Sequence, residues 1–172
     1  MHLPLMPTSM CLIYEQIMID LEIEYHASSP IDDSARYHQA AKWIADRFNL
    51  KSLTASISIV DDPTIHRLNR EHLDHDWPTD VVSFVFESEN GSIDGEIIAS
   101  IDTAARLAEQ ASWSTDDELL LYVIHGLLHL AGLDDITLDD RQEMRQTEQA
   151  CLLALNVPSA KNHLARWDSI SY

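Results

Sequence analysis

Over residues 19–25 apolar and charged positions alternate one for one, Ile19-Asp20-Leu21-Glu22-Ile23-Glu24-Tyr25. This period of two predicts a half-buried strand. After Pro30 and Asp32, the apolar residues Ala35, Ala40, Ala41, Ile44, Ala45 and Phe48 recur at helical spacing. Residues 53–60 again read as strand, with Ser56 and Ser58 alternating against Ala55, Ile57 and Ile59. Asp61-Asp62-Pro63 then marks a helix start, with acidic groups at the positive end of the helix dipole and proline at an early helical position. That helix is expected to run through Ile65, Leu68 and Asn69 to about His72.

A polar linker over 74–78 leads to a β-rich run over 81–86, and Asn90-Gly91 signals a turn into a partner strand over 96–100. Asp102 is expected to open a helix through Ala104, Ala105, Leu107 and Ala108. Ser114 to Glu118 supply cap residues and first-turn carboxylates for the next helix. That helix is apolar nearly all round (Leu119, Leu120, Leu121, Val123, Ile124, Leu127, Leu128, Leu130), so it is predicted to be buried at the centre. Gly132 ends it, and residues 138–155 form a last amphipathic helix. Strands interleaved with helices, two of them hairpin-like, predict an α+β fold: one domain, a small mixed β-sheet and a central buried helix. The expected organisation is a flexible N-terminal extension over 1–17, a domain over 18–156 and a weakly patterned C-terminal tail over 157–172.

A chain of 172 residues fits one such domain and can bury a sizeable core. Its two cysteines, Cys11 and Cys151, are far apart and in no metal-ligand spacing, which points to a reducing, cytoplasmic compartment rather than a disulfide framework. Pro4 and Pro7 interrupt the leading apolar residues and no basic segment precedes them, so neither a targeting signal nor a membrane span is predicted. Net charge changes the picture most. At −18 the chain repels polyanions, which opposes nucleic-acid binding through broad phosphate neutralisation. A small site where a metal supplies the positive charge stays compatible with it.

The chemistry concentrates in His125-Gly126-Leu127-Leu128-His129-Leu130-Ala131-Gly132-Leu133-Asp134-Asp135. Histidines at i and i+4 project from one helix face, so both imidazoles can reach one ion. Gly132 can adopt the left-handed conformation that turns the chain back, bringing residue 135 round as a third ligand. Three protein ligands and an open fourth position is the catalytic arrangement for zinc. Two histidines buried for packing alone is the plainer alternative, and Asp134 is a rival to Asp135 for the third place. Peptide hydrolysis is disfavoured, because a zinc peptidase needs glutamate where this chain has Gly126. An EF-hand over 134–140 fails for want of its mid-loop glycine.

This stretch resembles the signature of the YbeY family, His-Gly-x-x-His-Leu-x-Gly-x-Asp-His, in which three histidines bind zinc. Asp76-Trp77-Pro78-Thr79-Asp80-Val81-Val82-Ser83-Phe84 is similar to a second family block, Asp-x-Pro-Thr-Asp-Val-Leu-Ser-Phe. Gly95-Glu96-Ile97 stands where the family has Gly-Asp-Ile, and Met144 and Glu148 take their places on the last helix. The resemblance covers residues 18–155. It implies a YbeY-like α+β fold, one zinc ion and single-strand-specific endoribonuclease activity in ribosomal RNA maturation, at the 3′ end of 16S RNA, and in ribosome quality control. The implied partners are ribosomal RNA and the ribosome, with ribosomal proteins or a GTPase as candidate protein partners, no membrane and no organic cofactor. The metal ligands carried over are His125, His129 and Asp135.

Two departures from the family pattern matter. Asp135 replaces the third histidine; aspartate can ligate zinc through oxygen, but its charge makes a water on the ion less acidic. The family also carries an arginine shortly before the Asp-x-Pro-Thr-Asp block, where this chain has His72 and Leu73, with Arg70 as a nearby substitute. Asp80 reads either as an acceptor that orients the site or as a strand-end turn residue. His72 and His75 read as solvated linker side chains, and Trp77 as a packing residue or a base-stacking platform. A metal-dependent hydrolase of another substrate class and a zinc-stabilised, non-catalytic ribosome-biogenesis factor are the competing functions.

Overall fold

A computed structural model describes residues 16–26, 32–73 and 79–166, with the side chains of His72, Leu73 and Arg166 left out. The chain runs β1 (Met18–Tyr25), α1 (Ser34–Arg47), β2 (Ser52–Val60), α2 (Asp62–Leu73), β3 (Val81–Glu89), β4 (Ser92–Ser100), α3 (Ile101–Ala111), α4 (Thr115–Leu130) and α5 (Leu138–Ala154). A 3-10 turn (Pro158–Asn162) and a one-turn helix, α6 (His163–Arg166), complete it. The four strands form one mixed sheet in the order β1-β2-β4-β3. β1 and β4 each lie parallel to β2, and β3 is antiparallel to β4 across the expected Asn90-Gly91 turn. This is the α+β fold the pattern predicts.

Alternation along the strands decides what each face meets. Leu53, Ala55, Ile57 and Ile59 of β2 and Ile93, Ile97 and Ala99 of β4 point to one face, where α1 and α4 bury them. On the opposite face, Val60, Val82 and Ile98 pack under Ile65 of α2, with Leu68 and Phe84 at the margin. Among the residues of α4, Leu119, Leu120, Ile124, Leu127 and Leu128 have no exposed area at all. Each such side chain contributes about 1.5–3 kcal/mol through burial, more than any helix propensity could supply. Packing therefore holds α4 in place.

The helix ends are built locally. Ser114 accepts from the Asp117 amide at the start of α4. α3 begins one residue earlier than the pattern suggests, because Ser100 takes the cap by accepting from the Thr103 amide. Asp62 at the head of α2 accepts from the hydroxyls of Ser100 and Thr103, the latter at 2.7 Å, which ties the starts of α2 and α3 together. Arg36 donates to Asp33 and, at 2.7 Å, to Asp117, linking α1 to α4. Cys151 is a free, buried thiol, and burial pushes its pKa up to about 12. Among the described residues no helix is long and apolar enough to cross a membrane.

The region after Val157 is more structured than its weak patterning suggests. Val157, Ala160 and His163 are buried, and Gln149 of α5 donates to the Ala160 carbonyl at 3.1 Å. Few apolar side chains take part, so no apolar period marks the segment, which packs mainly against α5, the helix just before it. Residues 1–15, Pro30, the linker 74–78 with His75, Asp76, Trp77 and Pro78, and residues 167–172 lie outside the described residues.

Candidate metal centre

The C-terminal half of α4 carries both histidines. Ala131 closes the helix and Gly132 follows at φ 97°, a conformation that L side chains rarely adopt. The Gly132 amide donates to the His129 carbonyl at 3.0 Å and the Leu133 amide to the Leu128 carbonyl at 3.0 Å, the Schellman pattern of helix termination. This reversal aims the Leu133 carbonyl back at the helix, where His129 Nδ1 meets it at 2.9 Å. The chain then returns through Asp134, whose carboxylate accepts from the Asp135 amide at 2.8 Å. Thr137 and Asp140 open α5 with a reciprocal capping box. Arg141 donates to the Ile136 carbonyl at 3.0 Å and clamps the loop that bears Asp135.

Ligand-type atoms of His125, His129 and Asp135 lie within 4.8 Å of one another. The two Nε2 atoms face each other at 2.9 Å, and the Asp135 carboxylate oxygens stand 3.8 Å from His125 Nε2 and 4.0 Å from His129 Nε2. Both imidazoles are held by their other nitrogen. His125 Nδ1 lies 2.7 Å from the carboxylate of Glu148, which is 1% exposed. Each Nδ1 faces an acceptor, so each carries the hydrogen, and both Nε2 lone pairs point at the same place. Two lone pairs at that distance repel unless a cation or a proton lies between them. Nitrogens sharing a tetrahedral zinc ion at about 2.0–2.1 Å stand some 3.3 Å apart, so the pair needs to open by only a few tenths of an ångström. The donor set fits a divalent cation.

The electrostatics agree. Burial pushes the His125 pKa down, but the hydrogen bond and charge of Glu148, with Asp80 and Asp135 behind it, raise it overall. Burial and the neighbouring charge of His125 lower the pKa of His129. Burial would raise that of Glu148, yet hydrogen bonds from His125 and His163 hold its carboxyl at about 2. Asp80 accepts from Thr79 and from its neighbour Val81 at the mouth of β3, and its charge still reaches His125. These hydrogen bonds are those of a strand-end turn residue, and Asp80 acts on His125 through charge alone.

Gly126 has a steric role besides its lack of a carboxylate. A Cβ there would lie 2.8 Å from Ile97 Cγ2 of β4, so position 126 looks into the sheet and away from the imidazoles. Arg70 stands exposed on α2, across the sheet from α4. Leu73 closes that helix. A cavity of about 560 Å3, bordered by Val60, Leu68, Phe84 and Phe86, also lies on the α2 face, away from both histidines.

Glu148 enters the sequence reading as a family match without a role, although its signal is legible. Met144, Glu148, Cys151 and Leu152 share the buried stripe of α5, and a carboxylate there calls for a partner. His163 carries no such signal. It lies 15 positions from Glu148, has no exposed area, and places Nε2 2.8 Å from the second carboxylate oxygen.

A mixed sheet backed by a buried helix, with two imidazoles and a carboxylate converging at the helix end, defines a single-domain α+β protein with a candidate three-ligand metal centre. Comparison with known proteins narrows this class. Residues 22–156 match the sequence profile of the family described as Endoribonuclease YbeY, and the chain belongs to that family. Relatives of the same name include the Nautilia profundicola protein, 38% identical over 75% of this chain and 92% of its own. The Salinibacter ruber protein is 33% identical over 81% of this chain and 95% of its own. A Rhodopirellula baltica relative is 44% identical over 60% of this chain, a match that spans 55% of that longer protein. The fold is shared with a solution structure from Thermotoga maritima, at TM-score 0.57 and 21% identity over 82% of this chain and 95% of the other.

Proposed function

We propose that this chain is a metal-dependent endoribonuclease that holds one zinc ion through His125, His129 and Asp135 and acts on ribosomal RNA in its maturation. The observation that supports it is the facing pair of Nε2 atoms at 2.9 Å, each ring pinned through Nδ1. The reaction class and RNA substrate follow from the family. An ion held here supplies positive charge for a phosphodiester oxygen and makes a nearby water more acidic.

The protein's own contribution is orientation. Glu148 keeps the His125 proton on Nδ1, and the Leu133 carbonyl does the same for His129, so neither ring can turn its lone pair away. Asp135, 45% exposed, leaves the site open on its outer side, where a phosphate can approach. Its oxygen donor is harder than a third imidazole and widens tolerance for manganese or magnesium. Because Gly126 faces Ile97, the general base comes from elsewhere than in a zinc peptidase.

The charge of −18 makes capture of free RNA weak, so the ribosome presents the substrate. The test is cleavage of single-stranded and structured RNA with and without a chelator, beside a panel of peptides and other phosphodiesters. Chelator-sensitive RNA cleavage that is lost in His129→Ala is expected. Stoichiometric zinc with no cleavage of RNA, alone or in ribosomes, refutes the enzymatic reading.

A further inference from the structure

Glu148 is a buried carboxylate with one oxygen on each of two imidazoles. Oε1 takes the Nδ1 hydrogen of His125 at 2.7 Å, and Oε2 lies 2.8 Å from His163 Nε2. One bond alone would leave the carboxylate free to rotate about its last torsion; two on opposite oxygens fix its plane, and with it the His125 ring. We propose that His163 is a positioning residue of the metal centre, acting through Glu148, and that the segment after Val157 is therefore a working part of the site. This inference rests on the metal-binding reading above.

Four contacts show that the segment is seated. Ala160 is buried in the main core, and its carbonyl accepts from Gln149 at 3.1 Å. Ser159 donates to Asp117 at 2.9 Å, on the same carboxylate that Arg36 holds. The His163 ring lies 6.0 Å from that of Trp113. His163 also falls outside the 22–156 span that matches the family profile, so the profile match itself assigns it no part in the site. A histidine that only fills space has no need to place Nε2 on the one carboxylate that orients a candidate ligand.

The experiment uses the full-length chain and zinc titrated against a chromophoric chelator, with thermal melting of every variant. His163→Phe keeps a ring against Trp113 and removes the donor, whereas His163→Gln gives up the ring and keeps an N–H for Glu148. Groups that orient metal ligands typically cost 10–100-fold in affinity when removed, and His163 acts one step further out. His163→Phe is thus expected to weaken zinc about tenfold, at the low end of that range, while His163→Gln stays near wild type whatever its melting temperature. Equal affinity in both variants, or affinity that tracks melting temperature in both, overturns the proposal. Should His163→Phe fail to fold, long-range nitrogen–proton correlations on the wild-type protein decide. The His163 hydrogen is expected on Nε2, and a bare Nε2 there cannot donate to Glu148 and sinks the idea. Failure of the wild type to bind zinc at all would instead remove the metal-binding reading itself.

Discussion

Gly126→Ala sets two effects of similar size against each other. Alanine in a helix interior is favoured over glycine by about 1 kcal/mol, so in an empty environment the variant would be more stable. Here the added Cβ would lie 2.8, 3.0 and 3.1 Å from three atoms of Ile97, which is fully buried and, being β-branched, restricted at χ1. Overpacking of this kind costs roughly 1–3 kcal/mol, and three close atoms on one rigid side chain put it in the upper part of that range. The net expectation is a loss of about 1–2 kcal/mol, read as a melting temperature lower by roughly 2–8 °C. Restoring ordinary contact near 3.4 Å from 2.8 Å moves α4 off β4 by about 0.6 Å. That matches the tolerance of about 0.5 Å for a preorganised site, so zinc affinity should fall as well. The assay is a double-mutant cycle by thermal and urea unfolding with Ile97→Ala, which alone costs about 2–5 kcal/mol. In that background the clash is gone, and Gly126→Ala should turn stabilising. An unchanged or raised stability of the single variant, or the same loss in both backgrounds, refutes the packing account.

Three further outcomes are expected. Asp135→Ala should weaken zinc in chelator competition far more than Asp134→Ala, since Asp134 bonds the Asp135 amide and Asp135 faces both imidazoles; the reverse order would make Asp134 the ligand. Because the His125 pKa is raised above 6.5, a proton competes with the metal there first, and zinc affinity should begin to fall on acidification while the pH is still above 6.5. The same proton stabilises the metal-free protein below pH 6.5, and that contribution disappears as pH rises through the raised value. A zinc affinity flat down to pH 6.5 would contradict this. Finally, binding of isolated RNA should be weak and fall steeply with salt at a net charge of −18, and tight, salt-insensitive binding measured by filter retention would disprove it.

Much of this molecule is local and therefore legible in the chain. Period-two alternation marks β1 and β2, because one face of a strand is buried and the other is less so. An all-round apolar stretch between Ser114 and Gly132 marks α4 as central, and the i, i+4 spacing puts His125 and His129 on one face. Gly132 signals the reversal that brings Asp135 back, since the backbone there needs a conformation glycine adopts freely. Those three ligand candidates span eleven residues, and short-range geometry suffices to gather them.

Contacts between distant elements were decided only by the tertiary structure. The packing of α4 on β4 gives Gly126 its steric meaning, because Ile97 lies 29 positions away along the chain. Seating α5 against α4 turns Glu148 from a charge on an apolar stripe into the acceptor for His125. Docking of the unpatterned segment after Val157 brings His163 to the same carboxylate. Periodicity reports which face of an element is buried, but a hydrogen bond between side chains on different elements depends on their relative position, and that is set by packing of the whole core. The three candidate ligands were therefore readable from the chain, while the groups that hold them in place became visible only once it was folded.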